Sequence, residues 1–240
     1  MGKRSDAIAS EIKSWIVEQN LTPGHHLPQE KDLIEYFSSA KSTVREAIKV
    51  LQAQGLVTTR TGPGGGAFVT EIPQEKALSL LSNYFYFKDL SIKDIYQLRR
   101  QLEPEMAASL CGNLDAHDLE RLKTAITIYS SPIATQEEEY QQRLNELVFH
   151  EVLADLNPNP LLSFVCRFLL SLLKNLDFCH KIYQKPNPEL FDTGRYYQMA
   201  LYDALVMKDR DKVRHLMQKH MLAAEKIMLE RERELKSNLQ

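Results

Sequence analysis

The chain has 240 residues, of which 43% are hydrophobic and 26% are charged, and its formal net charge is -2. This composition is ordinary for a globular protein, and the length favours two domains over one. The near-neutral charge argues against a protein that coats nucleic acid or a membrane surface without specificity. Three irregularly spaced cysteines argue against a disulfide framework, and no apolar run is long enough to span a bilayer. We therefore expect a cytoplasmic protein without a membrane partner.

The N-terminal region is predicted to hold three helices and a β-hairpin. Apolar residues at helical spacing predict helices over residues 6–19, 28–37 and 41–54, and Gly55 is placed to end the third as a C-cap. Two β-rich runs, LVTTR and AFVTEI, flank TGPGGG, a sequence typical of a hairpin turn. This order of elements predicts a winged helix-turn-helix, in which the third helix enters a DNA groove.

From Pro73 onward, apolar residues recur at helical spacing and no β-rich alternation returns. We predict a mainly α chain with a winged helix-turn-helix domain over residues 1–72 and an all-helical domain over residues 73–240. About seven helices are expected in the second domain, near residues 74–87, 91–111, 115–130, 135–156, 160–184, 188–208 and 209–235.

The outer face of the third predicted helix favours DNA binding. Phosphates and base edges are mostly hydrogen-bond acceptors, and this face mostly donates, through Lys41, Ser42, Arg45, Lys49 and Gln52. The alternative is a merely solvated face, which is the commoner case for an isolated basic helix. The glycine-rich turn beside Arg60 favours DNA, since it allows close approach to a phosphate and few structural reasons demand three consecutive glycines there.

The runs LTPGHHLPQEKDL, AKSTVREAIKVLQAQGLV and GPGGGAFV resemble the DNA-binding domain of GntR-type bacterial transcription regulators. Together with the basic face and the glycine turn, the resemblance implies operator contacts from Lys31, Lys41, Ser42, Thr43, Arg45, Lys49, Arg60, Gly64 and Gly65. The chain departs from the usual family pattern at Ala40, Lys41 and Thr43. Lysine cannot reproduce the bidentate fork of arginine on guanine, so the operator sequence is expected to differ from the commonest one.

The charge of the N-terminal region predicts a dimer. Residues 1–70 carry eight Lys/Arg against seven Asp/Glu, a net charge of about +1. One copy is therefore a weak electrostatic binder of DNA. We expect a homodimer on a near-palindromic operator.

The C-terminal region resembles the effector-binding domain of the FadR branch of this family, through DIYQLRRQLEPEMAA, ELVFHEVLADLNPNPLL and ALVMKDRDKVRHLMQKHM. The resemblance implies a pocket for a small carboxylate effector, an organic or sugar acid. Its expected residues are Arg99, Glu146, His150, Gln198 and His220. Arg99 has two equally available partners, the effector carboxylate and Glu103 one turn away.

The same resemblance implies that Glu146, His150 and His220 hold a divalent metal, with zinc, nickel or manganese as candidates. Gln198 stands where the branch usually has a histidine, and an amide oxygen is a poorer ligand for zinc or nickel than imidazole is. The alternative is a metal-free pocket in which the two histidines are hydrogen-bonded core residues.

We expect a ligand-responsive repressor rather than an enzyme. The alternative from another class is a metal-dependent hydrolase using His150, Glu151 and His220. Ala154 stands where a zincin helix needs its second histidine, and the sequence has no G-x-S-x-G, phosphate loop or dinucleotide fingerprint.

Overall fold

The computed structural model describes residues 2–130, 136–176, 179, 181–182 and 188–237. Within these ranges the chain forms ten helices of seven residues or more and a two-stranded antiparallel sheet, which confirms the predicted mainly α fold class. The chain divides into two compact units, residues 1–77 and 78–240. None of the helices in these ranges is both long enough and apolar enough to cross a membrane.

The first unit contains the predicted three helices and hairpin. Its elements are α1 (Gly2–Glu18), α2 (Glu30–Tyr36), α3 (Lys41–Ala53), β1 (Val57–Arg60) and β2 (Gly66–Val69). Helix α1 begins four residues earlier than the periodicity predicts. The Arg4 guanidinium donates a hydrogen bond to the Phe37 carbonyl at 3.1 Å, and Ser5 is buried, so tertiary contacts extend the helix beyond its apolar pattern.

The predicted C-cap at Gly55 is present as a Schellman motif. Gly55 has a φ of +74°, its N–H bonds the Gln52 carbonyl, and the N–H of Leu56 bonds the Leu51 carbonyl. A Cβ at Gly55 would also lie 2.7 Å from Cγ1 of Ile72. Glycine therefore ends α3 and turns the chain into β1.

The hairpin has a further neighbour that the sequence did not indicate. Strand β1 pairs with β2 from Val57 opposite Val69 to Arg60 opposite Gly66. On the other edge of β2, the segment 24–27 makes three backbone hydrogen bonds, of which Leu27 N–H to the Ala67 carbonyl at 2.8 Å is one. Strand β2 is thus hydrogen-bonded along both edges.

The helices after the hairpin follow the predicted segments closely, apart from the segment 160–184, and the first of them begins in the last residues of the first unit. They are α4 (Gln74–Tyr86), α5 (Ile92–Ser109), α6 (Ala116–Tyr129), α7 (Gln136–Asp155), α8 (Pro160–Asn175), α9 (Pro188–Val206) and α10 (Arg210–Ser237). Capping boxes begin two of them, Ser91 with Asp94 at α5 and Asp115 with Asp118 at α6. Residues from α5 to α10 form most of the buried apolar clusters of the second unit.

The predicted helix over residues 160–184 is wrong as one continuous element. Helix α8 ends at Asn175, because Leu176 adopts an extended backbone with ψ of 131°. The Leu176 side chain is buried in the apolar core, so packing, which periodicity cannot register, accompanies the break. Residues 179 and 181–182 are helical, and the rest of the predicted segment after residue 176 lies outside the described residues.

Candidate nucleic-acid interface and buried polar site

The residues predicted to contact DNA lie on the outer faces of α2 and α3 and on the hairpin. Lys31, Lys41, Ser42, Arg45 and Lys49 are exposed, and Thr43 is half-buried. The opposite face of α3 is anchored in the core of the first unit by Val44, Ala47 and Leu51. Helix α3 therefore has the two faces that the sequence predicts.

Glu30 organises this surface, and sequence reasoning missed its role. One carboxylate oxygen accepts a hydrogen bond from Arg45 Nε at 2.7 Å, and the other lies 3.4 Å from Lys41 Nζ. The hydrogen bond from Arg45 lowers the pKa of Glu30, so the carboxylate is charged at neutral pH. Glu30 thereby sets the direction of Arg45 and leaves its terminal nitrogens without a partner among the described residues.

The backbone of the glycine-rich turn requires glycine at several of its positions. Gly62, Gly64 and Gly66 have φ of +94°, +74° and +145°, and a Cβ on Gly65 would lie 2.5 Å from the Arg60 carbonyl oxygen. The expectation that few structural reasons demand these glycines was wrong. Arg60 lies at the base of the turn, with its guanidinium carbon 4.6 Å from the centre of the Phe68 ring.

The five residues predicted to bind the effector come together in the second unit. Four helices supply them: Arg99 from α5, Glu146 and His150 from α7, Gln198 from α9 and His220 from α10. All five are at most 3% exposed. Polar side chains buried to this degree need hydrogen-bond partners. The atoms that lack such a partner are therefore candidates for binding a ligand.

A buried carboxylate joins Arg99 to the two histidines. Glu103 accepts from Arg99 Nε at 2.5 Å and from His150 Nδ1 at 2.6 Å. Because an ionised carboxylate only accepts, His150 carries its proton on Nδ1, and its Nε2 presents a lone pair toward His220 Nε2 at 3.1 Å. Of the two partners expected for Arg99, the structure pairs it with Glu103, while its Nη2 is buried and has no hydrogen bond to any residue that the structure describes.

The protonation states follow from this network. Burial alone would raise the pKa of Glu103, but the positive charge of Arg99 and the hydrogen bonds from Arg99 and His150 lower it to about 2, so the group is ionised. Burial raises the pKa of Glu146. Burial holds the pKa of His220 well below its usual value, so His220 is neutral at pH 7.

The donor atoms of Glu146, His150 and His220 fit one divalent ion. One donor atom from each lies within 4.8 Å of the others, and His220 Nε2 is 3.8 Å from a Glu146 oxygen. Two imidazole nitrogens on one ion at about 2.1 Å lie about 3.0–3.4 Å apart, which matches the 3.1 Å between the two Nε2 atoms. The bond from His150 Nδ1 to Glu103 is the outer contact that a metal-binding histidine usually makes. A bound ion would supply a positive charge able to hold a carboxylate.

In the metal-free alternative, the nitrogens of His150 and His220 pair with each other instead of with an ion. His220 Nε2 would donate to His150 Nε2, and the rings stack with centroids 5.1 Å apart. In that arrangement His220 Nδ1 is a buried acceptor without a partner in the described part of the chain. The Tyr197 ring also stacks on His220, with ring centroids 5.2 Å apart, a contact that sequence reasoning did not anticipate.

Gly194 is a second unanticipated part of the site. A Cβ at this helical position would lie 2.8 Å from the Tyr129 hydroxyl oxygen and 3.3 Å from Glu146 Cγ. The absence of a side chain lets α9 approach both α6 and α7 closely, one turn before Gln198. The only signal available in the sequence was a glycine inside a helical pattern.

We expect Gly194→Ala to destabilise the helical unit by about 1–3 kcal/mol, because the added methyl would overpack the contact of α9 with Tyr129 of α6 and with Glu146 of α7. An unobstructed Gly→Ala change inside a helix would instead stabilise it by up to about 1 kcal/mol. Urea denaturation followed by circular dichroism measures the difference. Tyr129→Phe removes the obstructing hydroxyl, so the double variant should lose less than the two single losses combined. A Gly194→Ala protein as stable as the wild type would contradict this account.

Comparisons with known proteins identify the family. Residues 4–69 match the model of the gntR family of bacterial regulatory proteins, and residues 94–223 match the FCD domain. The chain is 31% identical to the transcriptional regulator LutR of Bacillus subtilis over 64% of this chain and 68% of that protein. It is 26% identical to the transcriptional repressor NanR of Cronobacter sakazakii over 91% of this chain and 83% of that protein.

The fold is also shared with a solved structure. The Streptococcus agalactiae GntR structure aligns with a TM-score of 0.64 at 18% identity, covering 92% of this chain and 99% of that one. The families and relatives that match are transcription regulators rather than enzymes, which argues against the hydrolase alternative. The chain belongs to the GntR family of bacterial regulatory proteins and is a DNA-binding transcription regulator with an FCD domain.

Proposed function

We propose that this regulator is a cytoplasmic, ligand-responsive repressor that binds a near-palindromic operator as a homodimer. Residues 1–72 would form the DNA-binding domain, and residues 73–240 the ligand-binding and dimerisation domain. The observation that carries the proposal is the outer face of α3, where Lys41 and Arg45 are exposed and oriented by Glu30. Repression is supported by the likeness to NanR, which is itself named a repressor.

The operator contacts are assigned to the exposed donors of α2 and α3 and to the hairpin. Arg45 is the base-reading residue, because its Nε is held by Glu30 and its terminal nitrogens are left for a guanine edge. The lysines and Arg60 would bind phosphates, and Gly64 and Gly65 would let the backbone approach the duplex. The assigned set is Lys31, Lys41, Ser42, Thr43, Arg45, Lys49, Arg60, Gly64 and Gly65.

The effector is proposed to be a small organic or sugar acid bound at the buried polar site. Its carboxylate would contact a divalent ion held by Glu146, His150 and His220, with zinc, nickel or manganese as candidates. Arg99 offers a second anchor, because its Nη2 is buried and has no hydrogen-bond partner within the described ranges. Binding would stabilise one arrangement of the helical domains and so change the spacing of the two α3 helices in the dimer.

The dimer proposal is supported by an exposed apolar surface in the second unit. Leu80, Tyr84 and Phe87 are 57%, 62% and 89% exposed on and just after α4. Tyr84 also lines a groove of about 480 Å³ whose other walls come mainly from α5 and α8. An apolar patch of this kind on a regulator is best explained by a second copy packing against it.

Selection from a random duplex library, followed by native mass spectrometry of the protein and its complex, tests the proposal. We expect enrichment of one inverted repeat with half-sites one helical turn or a multiple apart, bound by two chains. Affinity for the selected duplex should fall steeply with salt, because lysines and arginines displace counterions from the phosphates. A library without an enriched sequence, or a complex containing one chain, would contradict the proposal. The same spectra of the protein as purified give the metal content per chain.

A further inference from the structure

Gln198 is a buried amide whose NH₂ group and carbonyl oxygen differ in their hydrogen bonding. It is fully buried on α9, and its Nε2 donates to the backbone carbonyl of Glu146 at 3.0 Å. A carbonyl only accepts, so the NH₂ group must face Glu146, and this fixes the orientation of the amide. Gln198 Oε1 is then buried without a hydrogen-bond partner in the described part of the chain. A buried carbonyl oxygen without a hydrogen bond destabilises the fold unless a bound ligand or ion interacts with it.

We propose that Gln198 Oε1 is a fourth protein ligand of the divalent ion held by Glu146, His150 and His220. The inference rests on the metal site in the proposed function and adds to it a residue that replaces the expected imidazole. The bond to the Glu146 backbone fixes the amide beside a residue whose carboxylate belongs to the same donor cluster. Such an outer hydrogen bond orients a ligand in the way that a carboxylate orients a metal-binding histidine.

The substitution changes the chemical character of the donor set. With an imidazole at this position the ion would meet three nitrogens and one oxygen, whereas Gln198 gives two nitrogens and two oxygens. Imidazole suits zinc and nickel, and carbonyl and carboxylate oxygens suit manganese and magnesium. The amide is neutral, as imidazole is, so the charge of the site is unchanged. The consequence is a lower preference for Zn²⁺ over Mn²⁺ than the three-histidine arrangement would have.

Calorimetric titration of chelator-treated full-length protein with Mn²⁺ and with Zn²⁺ separately tests this assignment. We expect Gln198→Leu to weaken Mn²⁺ binding about 10- to 100-fold, the usual effect of losing a group that supports a metal site. Gln198→His should raise the ratio of Zn²⁺ to Mn²⁺ affinity at least about 10-fold. The matched control is Gln218→Leu, the same change at an exposed glutamine of α10, which should leave both affinities unchanged.

The outcomes separate this inference from the broader function. A folded Gln198→Leu protein that binds Mn²⁺ like the wild type overturns the assignment of Gln198. If that variant does not fold, Gln198→Met removes the oxygen while keeping the side-chain length, and the same comparison applies. A wild-type protein that binds neither ion overturns the inference together with the metal site, and operator binding measured on the same sample shows whether the regulator itself stands.

Discussion

Replacing Arg45 with alanine should lower the affinity of the proposed dimer for its operator about 30- to 20,000-fold. A bidentate arginine–guanine contact contributes about 1–3 kcal/mol, and a dimer loses it in both half-sites. The change also leaves the charged Glu30 carboxylate without its hydrogen-bonded partner beside the DNA-contact face, where it would repel phosphate. The fold should be unaffected, because the Arg45 side chain is 60% exposed.

Fluorescence anisotropy with the library-selected duplex measures this loss. Lys13→Ala is the matched control, since it removes one exposed positive charge from α1 of the same unit. Measuring both variants across a range of salt concentrations separates base reading from general attraction to phosphate. If Arg45→Ala kept wild-type affinity and the same thermal stability, α3 could not be the element that reads the bases.

The second large effect is expected at Glu103. Glu103→Ala should lower the free energy of unfolding of the helical unit by about 3–5 kcal/mol, because it leaves the buried Arg99 guanidinium without a counter-charge. It also leaves His150 Nδ1 without its acceptor, so metal affinity should fall with stability. Urea denaturation at pH 7 measures the first effect, and titration with Mn²⁺ measures the second.

The matched control lies two residues away on the same helix. Glu105 also pairs with an arginine, Arg214, but its side chain is 54% exposed, so Glu105→Ala should cost far less stability. Equal losses for the two variants would show that burial of the Arg99 pair does not matter.

The lowered pKa of Glu103 predicts the direction in which its contribution to stability changes with pH. The pKa of Glu103 is lowered to about 2 in the folded protein, from an ordinary 4.5. The unfolded chain therefore takes up the proton first, and the stability contributed by Glu103 is complete above pH 4.5 and lost as the pH falls toward 2. The difference between wild type and Glu103→Ala should accordingly be smaller at pH 3.5 than at pH 7. A difference that grew on acidification would contradict the assigned ionisation.

Most of the helical architecture could be predicted from the sequence, because its signals are local. Apolar spacing and helix-breaking residues place each helix, and glycine at residue 55 ends α3 by its own backbone geometry. The two failures have a common cause. The start of α1 is extended by Arg4 and Ser5 contacting the rest of the unit, and the end of α8 coincides with the burial of Leu176. Both of these helix ends are accompanied by tertiary contacts, which the local sequence pattern does not show.

The candidate sites were predictable only in part. The residues of the buried polar site came from resemblance to a family pattern, and the structure does bring them together. The pairing of Glu103 with Arg99 was one of the two alternatives that the sequence offered, but the contact of Glu103 with His150 and the role of Gly194 were not predictable, because they depend on how closely separate helices approach one another. The same holds for Glu30, whose partner is 15 residues away on the next helix.

The two bonded edges of β2 have a consequence for how the DNA-binding unit moves. A hairpin attached along one edge could swing on its own as it meets a phosphate. Here the outer edge of β2 is bonded to residues 24–27, which lie only a few residues before Glu30 and α2. We therefore expect the hairpin, residues 24–27 and α2 to move together when the unit meets DNA. A phosphate bound at the glycine-rich turn would then affect the position of Glu30, the carboxylate that orients Arg45.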